Sequence, residues 1–242
     1  MNNFDLELTD RVLLDNIKNV YRKIAHASLR VERDPYDVKL VTVTKTVSPE
    51  KIKEAIDLGL RAFGENRVQE AQGKIEALAS DTTNSIIEWH MVGHLQKNKA
   101  KTAVQLFDLI HSVDSVELAR ALDKQAERSD KLQKVLIQVK LSEEETKHGI
   151  SKEGLMELVE TIMDMKHVRL EGLMTMPPFF DKAELARPFF RQLRELRDNI
   201  QTKGYRLPEL SMGMTNDFEV AVEEGATIVR VGTAIFGERE YS

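Results

Sequence analysis

Short apolar segments rich in β-branched residues alternate with longer amphipathic segments along the 242-residue chain, and this alternation restricts the fold more than any other feature. Each of the strand-like segments is followed by a helical pattern. The predicted strands are residues 38–44, 61–64, 86–92, 109–113, 134–139, 169–174, 209–212 and 227–231. Strict alternation of strand and helix indicates a parallel sheet, and eight units favour closure into a (β/α)8 TIM barrel.

One more helix is predicted ahead of the first strand. Residues 4–29 carry apolar side chains at helical spacing. Helices are also predicted from residue 49 and at 66–79, 96–105, 115–129, 151–165, 182–202 and 217–224, with a short turn after Thr233. No linker or low-complexity tract interrupts the pattern. We therefore expect residues 1–242 to form a single barrel domain with an extra N-terminal helix.

The composition excludes several classes of protein. The chain has no cysteine, which rules out disulfides, thiolate metal sites and cysteine nucleophiles. Its formal net charge is -5 with no basic block, which argues against a nucleic-acid partner. No apolar run reaches the roughly 20 residues that span a bilayer, and the acidic N-terminus does not resemble a signal peptide. We expect a cytoplasmic protein without membrane contact.

Binding residues in barrels lie in the loops that follow the strands. After the seventh strand, Ser211, Gly213 and Thr215 offer hydroxyls and accessible amides, and Gly232 and Thr233 do so after the eighth. Phosphate sites are frequently built at these two positions, because small residues let the backbone approach an anion closely. Two tight turns without a ligand would give the same pattern.

Two basic residues lie near strand ends, where they could contact a ligand bound at the mouth of the barrel. Lys45 shares the parity of the inward-facing residues of the first strand, and a desolvated lysine amine can condense with an aldehyde. Arg230 lies just before Gly232, where it could face the ring of a phosphorylated ligand. The alternatives are a lysine that extends to solvent and an arginine in an ordinary salt bridge to Glu223 or Glu224.

The histidines offer a weaker signal. His90 and His94 are four residues apart, a spacing that can chelate zinc on a helix. Here the spacing crosses a strand end, and the catalytic glutamate of the H-E-x-x-H motif is missing. We therefore predict no metal site. His111 is as consistent with a satisfied histidine at the edge of the core as with a functional one.

Several long motifs, in order and over nearly the whole chain, resemble the pyridoxal phosphate homeostasis proteins (the YggS/PROSC type). They are VTVTKTVSPEKI around Lys45, FGENRVQE at 63–70, EWHMVGHLQKNK at 88–99, HSVD at 111–114, KHG at 147–149, GLMTM at 172–176 and the long segment 211–239 that begins SMGMTNDFEVAVEEG. Thr215 stands where serine is usual, which preserves the hydroxyl.

The resemblance implies a fold type III barrel like the N-terminal domain of alanine racemase, binding pyridoxal 5'-phosphate (PLP). It implies that Lys45 holds PLP covalently as a Schiff base, that Arg230 faces the pyridine nitrogen, and that Asn66 lies near the ring. The implied phosphate contacts come from the segment after the seventh strand and the turn after the eighth: Ser211, Met214, Thr215, Gly232 and Thr233.

Two functions remain open at this point. The resemblance implies a non-catalytic PLP binder in vitamin B6 homeostasis, with apo PLP-dependent enzymes as recipients. The alternative is an amino-acid racemase, which normally needs a second base supplied with help from a C-terminal β-domain and a partner subunit. The chain ends soon after the eighth strand, so we expect no such domain, at most trace racemase activity, and a monomer. Lys147 is a second lysine that could hold PLP transiently.

Overall fold

The computed structural model describes residues 3–79, 86–144 and 148–237, with side chains from residue 11 onward. Within these ranges a parallel sheet closes on itself in chain order, from β1 through β8 and back to β1. Its strands are β1 (Lys39–Val43), β2 (Ala62–Glu65), β3 (Glu88–Met91), β4 (Leu109–Val113), β5 (Gln133–Gln138), β6 (Val168–Met174), β7 (Glu209–Ser211) and β8 (Ile228–Val231). The predicted barrel and its strand positions are confirmed.

One described helix precedes β1, the others follow the strands, and together they form the outer layer. They are α1 (Asn3–Arg30), α2 (Pro49–Asp57), α3 (Val68–Leu78), α4 (Ala100–Leu106), α5 (Val116–Arg128), α6 (Lys152–Met163), α7 (Arg187–Gln201), α8 (Phe218–Glu223) and α9 (Thr233–Phe236). Short 3₁₀ turns precede β1, α4 and α7 at Pro35–Asp37, Lys97–Lys99 and Ala183–Ala186. Among the described helices, none has both the length and the apolar character needed to cross a bilayer.

Local chemistry explains where individual helices begin. Ser48 has extended backbone, its hydroxyl accepts a hydrogen bond from the Lys51 amide, and Pro49 occupies the first turn of α2. The predicted helix at 66–79 begins later, at Val68, because Arg67 keeps extended backbone angles. The N-terminal helix α1 packs against α8 and α9, and Asn16 donates a hydrogen bond to the Ile235 carbonyl.

The core has two parts on opposite faces of the sheet. The larger part lies between the strands and the helices, and it includes Phe63, Phe107 and Phe190, all fully buried. The smaller part fills the barrel lumen and consists of Val41, Ala62, Val92, Leu109, Leu136, Met174 and Ile228, with Val43 and Met176 packed against it. Alternation along each strand assigns its side chains to one part or the other, which fixes the residues that can reach the mouth.

Candidate functional site at the carboxyl ends of the strands

The residues expected to bind a ligand follow four strands that are consecutive around the closed barrel. Thr215 follows β7, Gly232 and Thr233 follow β8, Lys45 follows β1 and Asn66 follows β2, and the sheet runs β7–β8–β1–β2. All strands are parallel, so these positions meet on one arc at the carboxyl end of the barrel. The arc combines an amine, hydroxyls, an amide and glycine backbone, a set that suits a phosphorylated carbonyl compound.

Lys45 lies just past the end of β1 and is half-buried. Val41 and Val43, at the same parity, belong to the lumen cluster, as the sequence pattern predicts. The preceding residue, Thr44, is buried and its amide donates to the Gly64 carbonyl at 2.9 Å, so pairing with β2 continues up to the lysine. The sheet therefore fixes the backbone from which Lys45 extends.

The turn after β8 lies against the end of β1. A Cβ atom on Gly232 would come within 3.1 Å of the Val43 carbonyl oxygen, so this close approach favours glycine. The Thr233 hydroxyl lies 3.2 Å from the Thr215 hydroxyl and donates a hydrogen bond to it. The two segments expected to bind phosphate are thus adjacent, and together they lie beside the strand that carries Lys45.

The turn after β7 depends on a glycine at one position. Gly213 has φ +92°, and a Cβ there would be 2.5 Å from the Ala221 Cβ, so both conformation and packing require glycine. The next amide, from Met214, donates to Asp217 at 2.7 Å. Burial raises the pKa of Asp217, while that hydrogen bond opposes the rise. Because the Met214 amide is already engaged, Met214 would reach a ligand through other atoms.

Asn66 is half-buried in the turn after β2. A Cβ on Gly93, in the turn after β3, would lie 2.4 Å from the Asn66 carbonyl oxygen and 2.7 Å from its Cα. The backbone of Asn66 is therefore held closely against the neighbouring turn. Asn66 borders the cleft that also includes Arg67, His94 and Gln96.

Arg230 is almost fully buried in the lumen and has no carboxylate partner among the described salt bridges. One guanidinium nitrogen donates to the Ser211 hydroxyl at 2.6 Å and another to the Thr175 carbonyl at 3.0 Å. Burial lowers the pKa of Arg230 to about 10, and Asp217 opposes that change, so the group stays charged at neutral pH. The alternative of a salt bridge to Glu223 or Glu224 is wrong.

Those two glutamates serve a different cluster on the outside of the barrel. Arg187 contacts both, Arg30 pairs with Glu223, and Arg191 pairs with Glu224. Inward parity keeps Arg230 away from them, because α8 lies on the outer face of β8. A buried cation whose described hydrogen-bond partners are all neutral suits a ligand that presents a hydrogen-bond acceptor.

From Arg230 a chain of hydrogen bonds crosses the lumen. The Ser211 hydroxyl lies 2.8 Å from His111 Nδ1, His111 Nε2 lies 2.9 Å from His90 Nδ1, and His90 Nε2 lies 3.3 Å from Glu88. The chain thus links the cation to a half-exposed carboxylate at the start of β3. Lys39, at the start of β1, also pairs with that carboxylate at 2.6 Å.

The ionised state of Glu88 fixes which group donates in every hydrogen bond between Glu88 and Arg230. Hydrogen bonds from His90 and Lys39 lower the pKa of Glu88 to about 2, so it only accepts. Burial lowers the pKa of His90, and burial lowers that of His111 well below its usual value, so both rings are neutral. His90 must then donate to Glu88 and accept from His111, which in turn accepts from Ser211.

Both hydrogen bonds of the Ser211 hydroxyl are therefore made to side chains inside the lumen. It donates to His111 and accepts from Arg230, and its side chain is fully buried. The sequence predicts that Ser211 contacts the phosphate. We propose that it acts on the ligand through Arg230 instead. His90 and Glu88 were missed as members of the site. Their signal was available, since a histidine at an inward position of an apolar strand needs a polar partner.

His90 and His94 do not form a pair. His94 lies at the mouth, where its ring stacks on His148 with centroids 3.8 Å apart and an angle of 10°, and it pairs with Asp114 at 3.6 Å. These three residues bring their ligand atoms within 4.8 Å of one another. A metal about 2 Å from both nitrogens cannot lie in the planes of two stacked rings, so this arrangement does not assign a metal. Lys147 lies outside the described residues.

Comparison with known proteins identifies the family. Residues 13–240 match the model described as alanine racemase, N-terminal domain. A pyridoxal phosphate homeostasis protein of Aquifex aeolicus (strain VF5) is 46% identical over 94% of this chain and 98% of its own length. PipY of Synechococcus elongatus PCC7942, solved with PLP bound, is 40% identical, with a TM-score of 0.78 over 88% of this chain and 100% of its own.

An alanine racemase of Clostridium difficile 630 is only 16% identical, with a TM-score of 0.71 over 96% of this chain and 60% of its own, and it shares the fold alone. The relatives therefore differ in what they support. The racemase supports the barrel architecture, whereas the close relatives match in sequence over nearly their whole length. The chain belongs to the pyridoxal phosphate homeostasis protein family.

Proposed function

We propose that this protein binds PLP and acts in PLP homeostasis, holding the cofactor covalently through the Lys45 amine. The observation that carries the proposal is the arc of Lys45, Gly232 and Thr233 above the buried cation Arg230. PLP has an aldehyde, a ring nitrogen and a phosphate, and the arc offers one matching group for each. The PLP-bound relative at 40% identity supports the same ligand.

Each residue has a proposed role. Lys45 would condense with the aldehyde, forming a carbon–nitrogen double bond with release of water. The amides and hydroxyls of Thr215, Gly232 and Thr233 would bind the phosphate, with Met214 lining the same turn. Arg230 would donate a hydrogen bond to the ring nitrogen, since guanidinium keeps its proton. Asn66 would lie beside the ring.

The arginine bears on whether the protein is an enzyme. A donor that keeps its own proton leaves the ring nitrogen unprotonated, and the cofactor is then a weaker electron sink than one paired with a carboxylate. Racemisation also needs a second base. Among the described tyrosines, Tyr21 lies on α1, Tyr36 in the turn before β1 and Tyr205 between α7 and β7, so none follows a strand. We propose a non-catalytic carrier that buffers PLP in the cytoplasm and passes it to apo-enzymes.

The visible spectrum and mass of the purified protein test this proposal. With added PLP we expect a Schiff-base absorbance band, and after borohydride reduction a pyridoxyl mass on the peptide that contains Lys45. Lys45→Ala should abolish both signals, whereas Lys53→Ala, which removes a half-exposed lysine on α2, should leave them unchanged. A wild-type protein that stays colourless with added PLP would refute the proposal.

A second experiment separates the carrier from a racemase. The loaded protein is assayed for racemisation across a panel of amino acids, and in parallel for PLP transfer to an apo-enzyme that regains activity. We expect transfer without significant racemisation. Racemisation at ordinary enzyme rates, about 1–1,000 per second, would contradict the carrier function.

A further inference from the structure

A buried ionic cluster joins helix α3 to the turn that carries Lys45. Lys74 on α3 is almost fully buried, and its ammonium contacts Glu65 at 2.7 Å, Glu70 at 2.6 Å and the Thr44 carbonyl at 2.6 Å. Glu65, the last residue of β2, is fully buried and also accepts from the Thr44 hydroxyl at 2.7 Å. The contacts that leave this cluster converge on one short segment of chain.

Both neighbours of Lys45 are held by the cluster. Thr44, on one side, bonds to Lys74 and Glu65 through its carbonyl and its hydroxyl. Thr46, on the other side, donates its amide to Glu70 at 2.6 Å. Glu65 and Glu70 belong to the FGENRVQE motif, whose charged residues have no part in the arc at the mouth.

Thr46 is itself in a strained conformation. Its φ is +65°, in the left-handed region that a β-branched residue rarely adopts. Such a residue persists only where its surroundings hold it, and these residues cluster at functional sites. Glu70 holds the Thr46 amide, and the Val47 amide also closes the turn by donating to the Thr44 carbonyl at 2.9 Å. The backbone conformation of Thr46 sets the direction in which the chain leaves Lys45.

We propose that Lys74, Glu65 and Glu70 form a clamp that positions Lys45 toward the barrel mouth for reaction with PLP. The proposal rests on the proposed function and assigns positioning residues to it. Lys74 holds both carboxylates and the Thr44 carbonyl, and Glu70 holds the Thr46 amide. The ammonium of Lys74 has three acceptors, so Lys74 is a structural cation and does not compete with Lys45 for the aldehyde.

Stability alone is a poor reason for such a cluster. A buried ion pair is often no more stabilising than well-packed apolar residues of similar size, because desolvation offsets the attraction. The two carboxylates also differ. Burial raises the pKa of Glu65 against the hydrogen bonds from Lys74 and Thr44, whereas hydrogen bonds from Lys74 and Thr46 outweigh burial and lower that of Glu70. Glu70 is the more exposed of the two, so it can be changed with less risk to folding.

Three variants on α3 test the clamp. Glu70→Ala removes the acceptor of the Thr46 amide, Glu70→Gln keeps an acceptor oxygen there, and Glu76→Ala makes the same truncation at an exposed position of the same helix. The first readout, without PLP, is the rate at which acetic anhydride labels Lys45, followed by mass spectrometry of its peptide. The second is PLP affinity from the Schiff-base absorbance, with thermal unfolding measured alongside.

We expect Glu70→Ala to label Lys45 faster than wild type and to weaken PLP binding about ten-fold, which is about 1.4 kcal/mol. Glu70→Gln should restore most of both, and Glu76→Ala should match wild type. Equal labelling and affinity in Glu70→Ala and wild type would overturn the clamp, as would an equal loss in Glu70→Ala and Glu76→Ala. If wild type itself takes up no PLP at Lys45, the proposed function fails, while the labelling rates still test the clamp.

Discussion

Replacing Ser211 by alanine removes one hydroxyl that satisfies two buried groups. The hydroxyl accepts a hydrogen bond from Arg230 at 2.6 Å and donates one to His111 at 2.8 Å. A hydrogen bond to a charged group contributes about 1.5–3 kcal/mol, and a neutral one about 0.5–1.5 kcal/mol. All three side chains are nearly or fully buried, so bulk water does not replace the lost partner.

We therefore expect Ser211→Ala to lower the free energy of unfolding by about 2–4 kcal/mol. For a chain of this size, the melting temperature should fall by about 2–4 °C for each kcal/mol. The lower end applies if a water molecule occupies the space of the hydroxyl and bonds to both partners. PLP affinity should fall as well, because the guanidinium of Arg230 loses one of its two described hydrogen bonds and keeps the one to the Thr175 carbonyl.

Ser112 on β4 supplies the matched control. It is also fully buried, but its hydroxyl has no hydrogen-bond partner within the described part of the chain. Ser112→Ala should be neutral or stabilising by about 1 kcal/mol, since an unsatisfied hydroxyl is removed from the interior. The measurement is urea or thermal unfolding of the protein without PLP. Equal effects of the two substitutions, or a cost below about 1 kcal/mol for Ser211→Ala, would refute the hydrogen-bonded chain.

Two further predictions concern packing and pH. Gly172→Ala would place a Cβ 1.9 Å from the Glu209 carbonyl oxygen on the paired strand and should cost more than about 3 kcal/mol in chemical unfolding. Gly73→Ala, in open space on α3, should instead stabilise by about 0.5–1 kcal/mol, and similar values for the two would contradict the strand packing. The lumen histidines His90 and His111 have lowered pKa values in the folded state, so the unfolded chain binds protons first as the pH falls below about 6.5. The free energy of unfolding should therefore decrease from that pH downward, ahead of the carboxylates, and a His111→Gln variant with the same slope in urea unfolding would argue against this assignment.

The strands and turns of the barrel can largely be predicted from the amino-acid sequence. Strand alternation, turn glycines and helix caps act within a few residues, so local pattern was enough to predict β1 through β8 and to place Val41 and Val43 in the lumen. The position of Gly232 and Thr233 after the last strand was readable for the same reason.

Contacts across the lumen are a different matter, because barrel closure alone decides which inward residues meet. His111 and Ser211 are 100 positions apart, and Thr175 and Arg230 are 55 apart, yet both pairs are bonded. No local rule links such positions. Only the tertiary structure shows the partners of Arg230 and the hydrogen bonds of the Ser211 hydroxyl to His111 and Arg230. The clamp at Lys45 has the same origin, since Lys74 reaches Thr44 only once α3 packs against β2 beside it.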